Sequence, residues 1–354
     1  GVEVVVATTT QRLGGATPPI PPGRREVEGV PVEYFRSVGG MGRASAAPGL
    51  VPWLRRNVPR FDLVHVHLLW SFPGMLASAV CRARGVPHVV SPHGALDPWA
   101  LEQRALEKKV FLAAGERRNL ETAAFLHFTT GAERAVAPGW ARALPAEVIP
   151  LAVDAAPFLA LGRDGARASS REVLLLARVH PMKGFDVLVP AMRDVVDRVP
   201  GARLVVAGPD EGGHRAVVER AVREHGLEGN VTFTGHLEPA ARDAVVARAA
   251  VMVAPSHREN FCLSIVEGMA AGLPVVVSEQ VNIADDVAAA GAGFVVPRDP
   301  ARLADALVRL LEDAALRERT GEAGRRMVTD RYSPGSVGRW LREAYGRALE
   351  PRRP

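Results

Sequence analysis

Two glutamates, Glu259 and Glu267, separated by seven residues, lie between the apolar runs VMVAPS and LPVVVS. Gly272 and Pro274 are stop signals for a helix-length piece between those runs, from roughly Phe261 to Ala271. With Glu259 just ahead of the helix and Glu267 two turns inside it, a rise of 1.5 Å per residue separates their α-carbons by roughly 12 Å. Carboxylates about 5–9.5 Å apart would suit acid/base work on a glycosidic bond. The wider backbone spacing favours two contacts on one elongated ligand. The amides of Phe261, Cys262 and Leu263 would point out of the positive end of the helix, where a phosphate binds. The competing reading is a solvated Glu259 and a Glu267 on an ordinary helix face.

Other reactive residue types stand at similar punctuation points. In LLLARVHPMKGFD, Arg178 follows a strand and Lys183 precedes a helix, so two cations gather where a diphosphate would put its negative charge. A surface charge is the alternative for Arg178. It is weaker for Lys183, because lysine occurs elsewhere only at Lys108 and Lys109. His93 lies just past the carboxyl end of a strand in VVSPHG, and Gly94 lets backbone approach a ligand. Gly235, in FTGHL, ends another strand and could offer backbone N–H and C=O to a nucleobase edge. His65 and His67 alternate onto one strand face, and with His93 they could form a metal triad, with Asp62 and Asp97 near in sequence. Histidines placed like this more often pack or line a site than bind metal, and no metal is expected.

These residues must be carried by a strand–helix alternation. From Arg171 onward REVLLLARV, ARLVVAGPD, NVTFTGHL, VMVAPS, LPVVVS and AGFVVP read as strands separated by amphipathic helices, which predicts a mostly parallel sheet with right-handed crossovers. The first half repeats the rhythm less clearly. VEVVVATTT, VPVEYF, FDLVHVH, VPHVVS and LHFTT read as strands, Thr8 to Gly23 and Gly39 to Gly49 as loops, and Trp99 to Leu126 as a helical stretch. The GxG-like loop from Gly39 lacks a phosphate-loop pattern and is read as a connection. A passage around Glu147 to Phe158 marks the boundary. The expected parts are a first domain over residues 1–150, a second domain over residues 151–330, and a C-terminal helix over residues 331–354 packing at the junction.

With 354 residues, 47% hydrophobic and 23% charged, the chain is an ordinary globular protein large enough for two cores. No apolar run reaches the roughly 18 residues that span a bilayer. Two cysteines far apart, Cys81 and Cys262, fit a reducing cytoplasm better than a disulfide framework. The charge of +5 comes from arginines interspersed with acids, which does not suit nucleic-acid binding. Lys108, Lys109, Arg117 and Arg118 could meet an acidic acceptor or a phospholipid surface, or form a solvated helix face.

Taken together, RENFCLSIVEGMAAGLPVVVS resembles the Glu–seven–Glu signature of the retaining family 4 glycosyltransferases, the glycosyl transferases group 1. ARVHPMKGFDVLVPAM resembles their Arg…Lys-Gly phosphate segment. VVAGPD, FTGHL, FDLVHVH, SPHGALDPWAL and VIPLAVD follow in the family's order. The resemblance implies an α/β chain of GT-B architecture, two Rossmann-like domains with parallel sheets facing across a cleft. It implies transfer of a sugar from a nucleoside-diphosphate sugar, UDP- or GDP-linked, to a saccharide or lipid-linked acceptor with retention. The expected setting is bacterial cell-surface polysaccharide or glycolipid synthesis, in the cytoplasm or at the inner face of the membrane. No cofactor or metal is implied, in keeping with the lack of a DxD triplet. Arg178 and Lys183 would hold the diphosphate, Glu267 the ribose, and Glu259 and His93 the transferred sugar. Backbone around Phe261, Cys262 and Leu263 would meet sugar and phosphate, and Gly235 the base. The family commonly has glycine where Cys262 stands. It also begins with a further strand, loop and helix ahead of GVEVVV, so the resemblance leads one to expect a longer natural protein and a vacant strand position in the first sheet. Another GT-B enzyme, an epimerase or phosphorylase, and a non-catalytic sugar-nucleotide-binding fragment are the alternatives.

Overall fold

Strands apolar on both faces need cover on both faces, and the chain provides it twice. The computed structural model describes residues 2–11, 20–38, 46–162, 167 and 169–350. Two units divide the chain, Gly1–Ile149 with Arg339–Pro354, and Pro150–Gly338. Among the described residues no helix is long and apolar enough to cross a membrane.

The first unit holds β1 (Val6–Thr9), β2 (Gly23–Val27) and β3 (Val30–Phe35), paired in the order β1-β3-β2. Beside these, β4 (Val64–His67), β5 (His88–Ser91), β6 (Phe125–Phe128) and β7 (Ala146–Val148) form a parallel sheet in chain order. No strand pairing joins the two sheets among the described residues. Strand β2 is absent from the sequence reading. It forms because Glu28 and Gly29 both adopt positive φ, 50° and 78°, closing a two-residue hairpin onto β3. Helix Leu50–Asn57 was also unforeseen, and its Leu50 and Leu54 pack with Val58 and Cys81. Most of the Gly39 to Gly49 loop, and residues 12–19, lie outside the described residues.

The helical stretch expected from Trp99 to Leu126 is broken into pieces. Pro98–Glu102 and Ala105–Phe111 are parted by Arg104 at φ 51°, and a π-turn over Leu112–Glu116 contains Gly115 at φ 128°. These left-handed residues rotate successive turns, so the pieces do not present one continuous stripe.

In the second unit β8 (Glu172–Leu176), β9 (Arg203–Ala207), β10 (Val231–Gly235), β11 (Val251–Ala254), β12 (Val275–Ser278) and β13 (Gly293–Val296) form one parallel sheet. Its order is β10-β9-β8-β11-β12-β13, so the chain builds outward from β8 and then returns to its other side. The winding reverses between β8 and β11, the place where a parallel sheet offers a ligand site at its carboxyl ends. Alternation along the strands sends Val173 and Leu175 to one core and Leu174 to the other. Helices Phe185–Arg198 and Pro300–Glu312 cover the first face through Leu188, Met192, Leu303 and Leu307. Helix Leu263–Ala270 covers the second through Ile265, Val266 and Met269. Leu188 is fully buried in the first of these cores. Leu188→Ala should therefore destabilise the protein by about 2–5 kcal/mol, read as a lower denaturant midpoint by circular dichroism.

Candidate active site

The two loops that leave β8 and β11 carry opposite charges at those carboxyl ends. Lys183 ends the turn Pro181–Lys183, which His180 caps by accepting the Met182 N–H at 3.1 Å. Gly184 follows at φ 75°, and a Cβ there would stand 1.9 Å from the Pro255 carbonyl oxygen. Only glycine allows that approach. The Met182 carbonyl accepts the His257 N–H at 2.9 Å, which stitches the two loops together. Glu259 is held through its backbone as well, donating to Gln280 O at 3.2 Å and accepting from Asn282 N at 3.0 Å.

As a result the Lys183 ammonium pairs with the Glu259 carboxylate, each side chain only 17% exposed. Ser256 donates its hydroxyl to the same carboxylate oxygen at 3.2 Å. A largely buried pair of this kind contributes little net stability, because desolvation offsets the Coulomb attraction. Its chemical use is a positive and a negative group held side by side at the mouth of a parallel sheet.

Arg178 is not part of that pair. Its guanidinium engages Glu211 in an exposed ion pair, at the ends of β8 and β9. Exposed pairs are worth at most about 1 kcal/mol, so an incoming anion can compete for this cation. Glu267 lies half-buried in helix Leu263–Ala270, and burial pushes its carboxyl up, against the lowering effect of Arg242. No hydrogen bond to its carboxylate is made among the described residues.

The helix starts later than the sequence suggested, at Leu263, because Cys262 takes the left-handed conformation at φ 60°. That conformation favours glycine, which gives a backbone reason for glycine at the corresponding family position. Burial, and secondarily the Glu259 charge, push the Cys262 thiol up to about 12, so it remains protonated and is no nucleophile. The Cys262 carbonyl accepts the Ile265 N–H at 3.0 Å, while Leu263 is exposed at the helix start. The Phe261 ring turns inward, edge-on to Tyr332 at 5.3 Å, and fixes the loop from beneath. At the end of β10 the Gly235 carbonyl accepts the Gly208 N–H at 2.9 Å and the Thr234 hydroxyl at 3.0 Å, which ties this turn to the end of β9.

In the first unit, side chains at the carboxyl ends of β4, β5 and β6 make a second cluster. His93 stands at φ 50°, a strained conformation costing about 1–3 kcal/mol that surrounding contacts must hold. Its Nε2 shares a hydrogen bond with His67 Nδ1 at 2.9 Å, and the neighbouring Gly94 N–H donates to Glu133 Oε1 at 2.5 Å. His67 stacks on His65 with centroids 4.3 Å apart.

Proton positions behind this pair follow from one carbonyl. Ile149 O can only accept, so His127 donates its Nε2–H at 2.7 Å. Neutral His127 then accepts the Ser91 hydroxyl at Nδ1, 2.8 Å away, and Ser91 accepts from His65 Nε2 at 2.7 Å. His65 Nδ1 is left to accept the Tyr345 hydroxyl at 2.6 Å. Every member is satisfied only while neutral. Burial, then the neighbouring His67, brings His65 down to about 2, and burial, then His93, brings His67 down to about 4. Burial likewise lifts Tyr345 to about 12.

Residues 163–327 match the family described as Glycosyl transferases group 1, and residues 1–152 match the Glycosyl transferase 4-like domain. The D-inositol 3-phosphate glycosyltransferase of Kineococcus radiotolerans is 30% identical over 99% of this chain and 88% of its own length. The chain belongs to the group 1 glycosyltransferases, family 4. Its fold is similar to that of sucrose-phosphate synthase from Thermosynechococcus elongatus, with TM-score 0.72 and 22% identity over 96% of this chain and 88% of that one. It is also similar to Anabaena HepE, solved in complex with UDP and glucose, with TM-score 0.71 and 20% identity over 90% of this chain and 86% of that one. The glycosyltransferase is thus an α/β protein of the GT-B fold, as its motifs led one to expect.

Of the residues singled out in this glycosyltransferase, the structure joins Lys183 directly to Glu259, ties Arg178 to Glu211, and sets His93 in the first unit against His67. Sequence reasoning missed Ser256, His127 and Glu133. Glu133 had a readable signal, since Thr130 and Glu133 have the spacing of a capping box, and the Thr130 hydroxyl accepts the Glu133 N–H at 3.0 Å. Its carboxylate also takes the Thr129 N–H and hydroxyl, both at 2.7 Å, so it anchors the His93 loop from a buried position.

Acid should weaken the histidine cluster. The unfolded chain protonates His65 and His67 below the ordinary 6.5, whereas the folded chain resists protonation down to about 2 and about 4. Stability is therefore intact above 6.5 and falls as the pH drops from there toward 4. The melting temperature should decline between about pH 7 and about pH 5. His65→Gln should melt lower at neutral pH and decline less steeply, because one of the resisting rings is gone.

Proposed function

We propose that this glycosyltransferase moves a sugar from a nucleoside-diphosphate sugar to an acceptor hydroxyl with retention of anomeric configuration and without a metal ion. The observation that carries this reading is the Lys183–Glu259 pair at the β8/β11 reversal. One group there suits a phosphate and the other suits sugar hydroxyls, and their contact places both at one point. The HepE neighbour, solved with UDP and glucose, supports a nucleotide-sugar donor. The relative named as a D-inositol 3-phosphate glycosyltransferase supports a hydroxyl acceptor.

In this reading the donor diphosphate takes the Lys183 ammonium from Glu259 and the Arg178 guanidinium from Glu211. The freed Glu259 carboxylate accepts hydrogen bonds from hydroxyls of the transferred sugar. Glu267, half-buried with no hydrogen bond to its carboxylate among the described residues, takes the ribose hydroxyls. The family resemblance assigns the transferred sugar to His93 as well, a residue steadied by His67 and Glu133. Charge develops on the leaving diphosphate as the glycosidic bond breaks, and the two cations with the amides at the start of helix Leu263–Ala270 stabilise it. The acceptor attacks on the face the diphosphate leaves, and a leaving-group oxygen takes its proton. Positive charge from the protein thereby fills the role a metal ion plays elsewhere.

Turnover with a panel of UDP-, GDP- and ADP-sugars, with product anomers read by NMR, tests the proposal. Lys183→Ala and Glu259→Ala should each lower kcat/KM by about 100-fold or more, and chelator should leave the rate unchanged. Near-normal transfer by either variant, or an inverted product, would overturn it.

A further inference from the structure

A second charged cluster in the same unit has no part in the transfer chemistry. Arg298 follows β13, the edge strand two places beyond β11 in the sheet. Its guanidinium nevertheless reaches the two loops that carry Lys183 and Glu259. Nη2 lies 2.7 Å from Asp186 Oδ2, two residues after Gly184, and Nε lies 3.4 Å from the Pro255 carbonyl oxygen. His257 Nε2 is 2.8 Å from the same Nη2, and 3.2 Å from Asp186 Oδ1. A guanidinium only donates, so the carboxylate, the ring nitrogen and the carbonyl all accept from it.

The arginine is launched from a fixed base. Asp299, the next residue, accepts the Arg302 N–H at 2.9 Å and caps helix Pro300–Glu312, which shares a core with helix Phe185–Arg198. Arg298 is only 21% exposed, so its charge relies on Asp186 more than a solvated arginine would. Burial pushes the Asp186 carboxyl up, but Arg298 and His257 outweigh it and hold the group below its ordinary value. The carbonyl that Arg298 meets is the one Gly184 lies against. One side chain thus grips both sides of that contact, Asp186 on one loop and Pro255 with His257 on the other. No ion pair of Arg298 with Glu259 is present among the described residues, so its influence on that carboxylate passes through the loops.

We propose that Arg298 is a positioning residue for the transfer reaction. Through Asp186 and His257 it fastens the Lys183 loop to the Glu259 loop, and so sets how those two side chains meet. The role in transfer rests on the proposed donor chemistry of Lys183 and Glu259, whereas the fastening does not. Arg298 as one more cation for the diphosphate is the competing use, and Asp186 separates the two by sign. Removing a negative charge beside an anion site favours the anion, whereas removing a fastening disfavours everything the loops hold.

The variants Asp186→Asn, which keeps the side-chain shape, and Arg298→Gln test the proposal. Hydrogen exchange of the ligand-free protein, read by mass spectrometry, should be about tenfold faster in each over residues 181–186 and 255–260. Exchange elsewhere and circular dichroism should be unchanged, which separates loosening from unfolding. The value of kcat/KM for the donor selected from UDP-, GDP- and ADP-sugars should fall about tenfold in each variant. The double variant should be no worse than either single one, because both remove the same link. Unchanged exchange in both segments, a rise in kcat/KM with Asp186→Asn, or additive losses in the double variant would overturn the proposal. Near-normal transfer by Lys183→Ala and Glu259→Ala would instead refute the donor reading, and the exchange result would still decide the fastening.

Discussion

The contact of Gly184 with the Pro255 carbonyl governs the donor end of this glycosyltransferase. Two loops leave adjacent strands of a parallel sheet, and only a residue without a side chain lets one lie against the other. That approach sets Lys183 beside Glu259 and allows the backbone bond from His257 to Met182 to close. The sheet supplies the frame, because the reversal of winding at β8 and β11 is where a parallel sheet opens a crevice.

Charges around that crevice are paired with differing firmness, and the difference has meaning. Lys183 and Glu259 are largely sheltered and share a third partner in Ser256, so neither moves far without a ligand that replaces the other. Arg178 and Glu211 meet in water, where a phosphate can compete cheaply. The Glu267 carboxylate carries a desolvation cost with no hydrogen bond to offset it among the described residues. Such a gradient suits a site whose polar groups are satisfied by one another until a ligand of matching charge arrives.

The first unit solves a different problem, that of placing several histidines together without charge. One backbone acceptor, Ile149 O, orients His127, and that orientation passes through Ser91 and His65 to the Tyr345 hydroxyl. The order depends on all members being neutral, which burial enforces. Tyr345 belongs to the helix Pro334–Leu349, so the far end of the chain completes a network begun on β4. His93 rests against this ordered base through His67, and Glu133 holds its strained loop from the other side.

Much of this was legible in the residues alone. Apolar runs of Val and Leu marked the parallel strands, and glycine and proline marked the ends of the helix between Glu259 and Glu267. Lys183 and His93 stand out in the sequence because each sits at a strand-to-helix turn. Other features were not legible, for definite reasons. The β2–β3 hairpin rests on positive φ at Glu28, a residue with no special preference for it. The late start of the Leu263 helix rests on the same conformation at Cys262, and the bond from the Gly208 N–H to the Gly235 carbonyl joins residues on neighbouring strands. By itself the sequence determined the secondary-structure rhythm, the parallel sheet class and the kinds of charge available, because these depend on local periodicity and turn chemistry. Only the tertiary structure decided which acid each cation meets, which histidine tautomers are present and which apolar side chains stay uncovered. Those outcomes depend on groups tens or hundreds of residues apart being brought within hydrogen-bonding or packing distance.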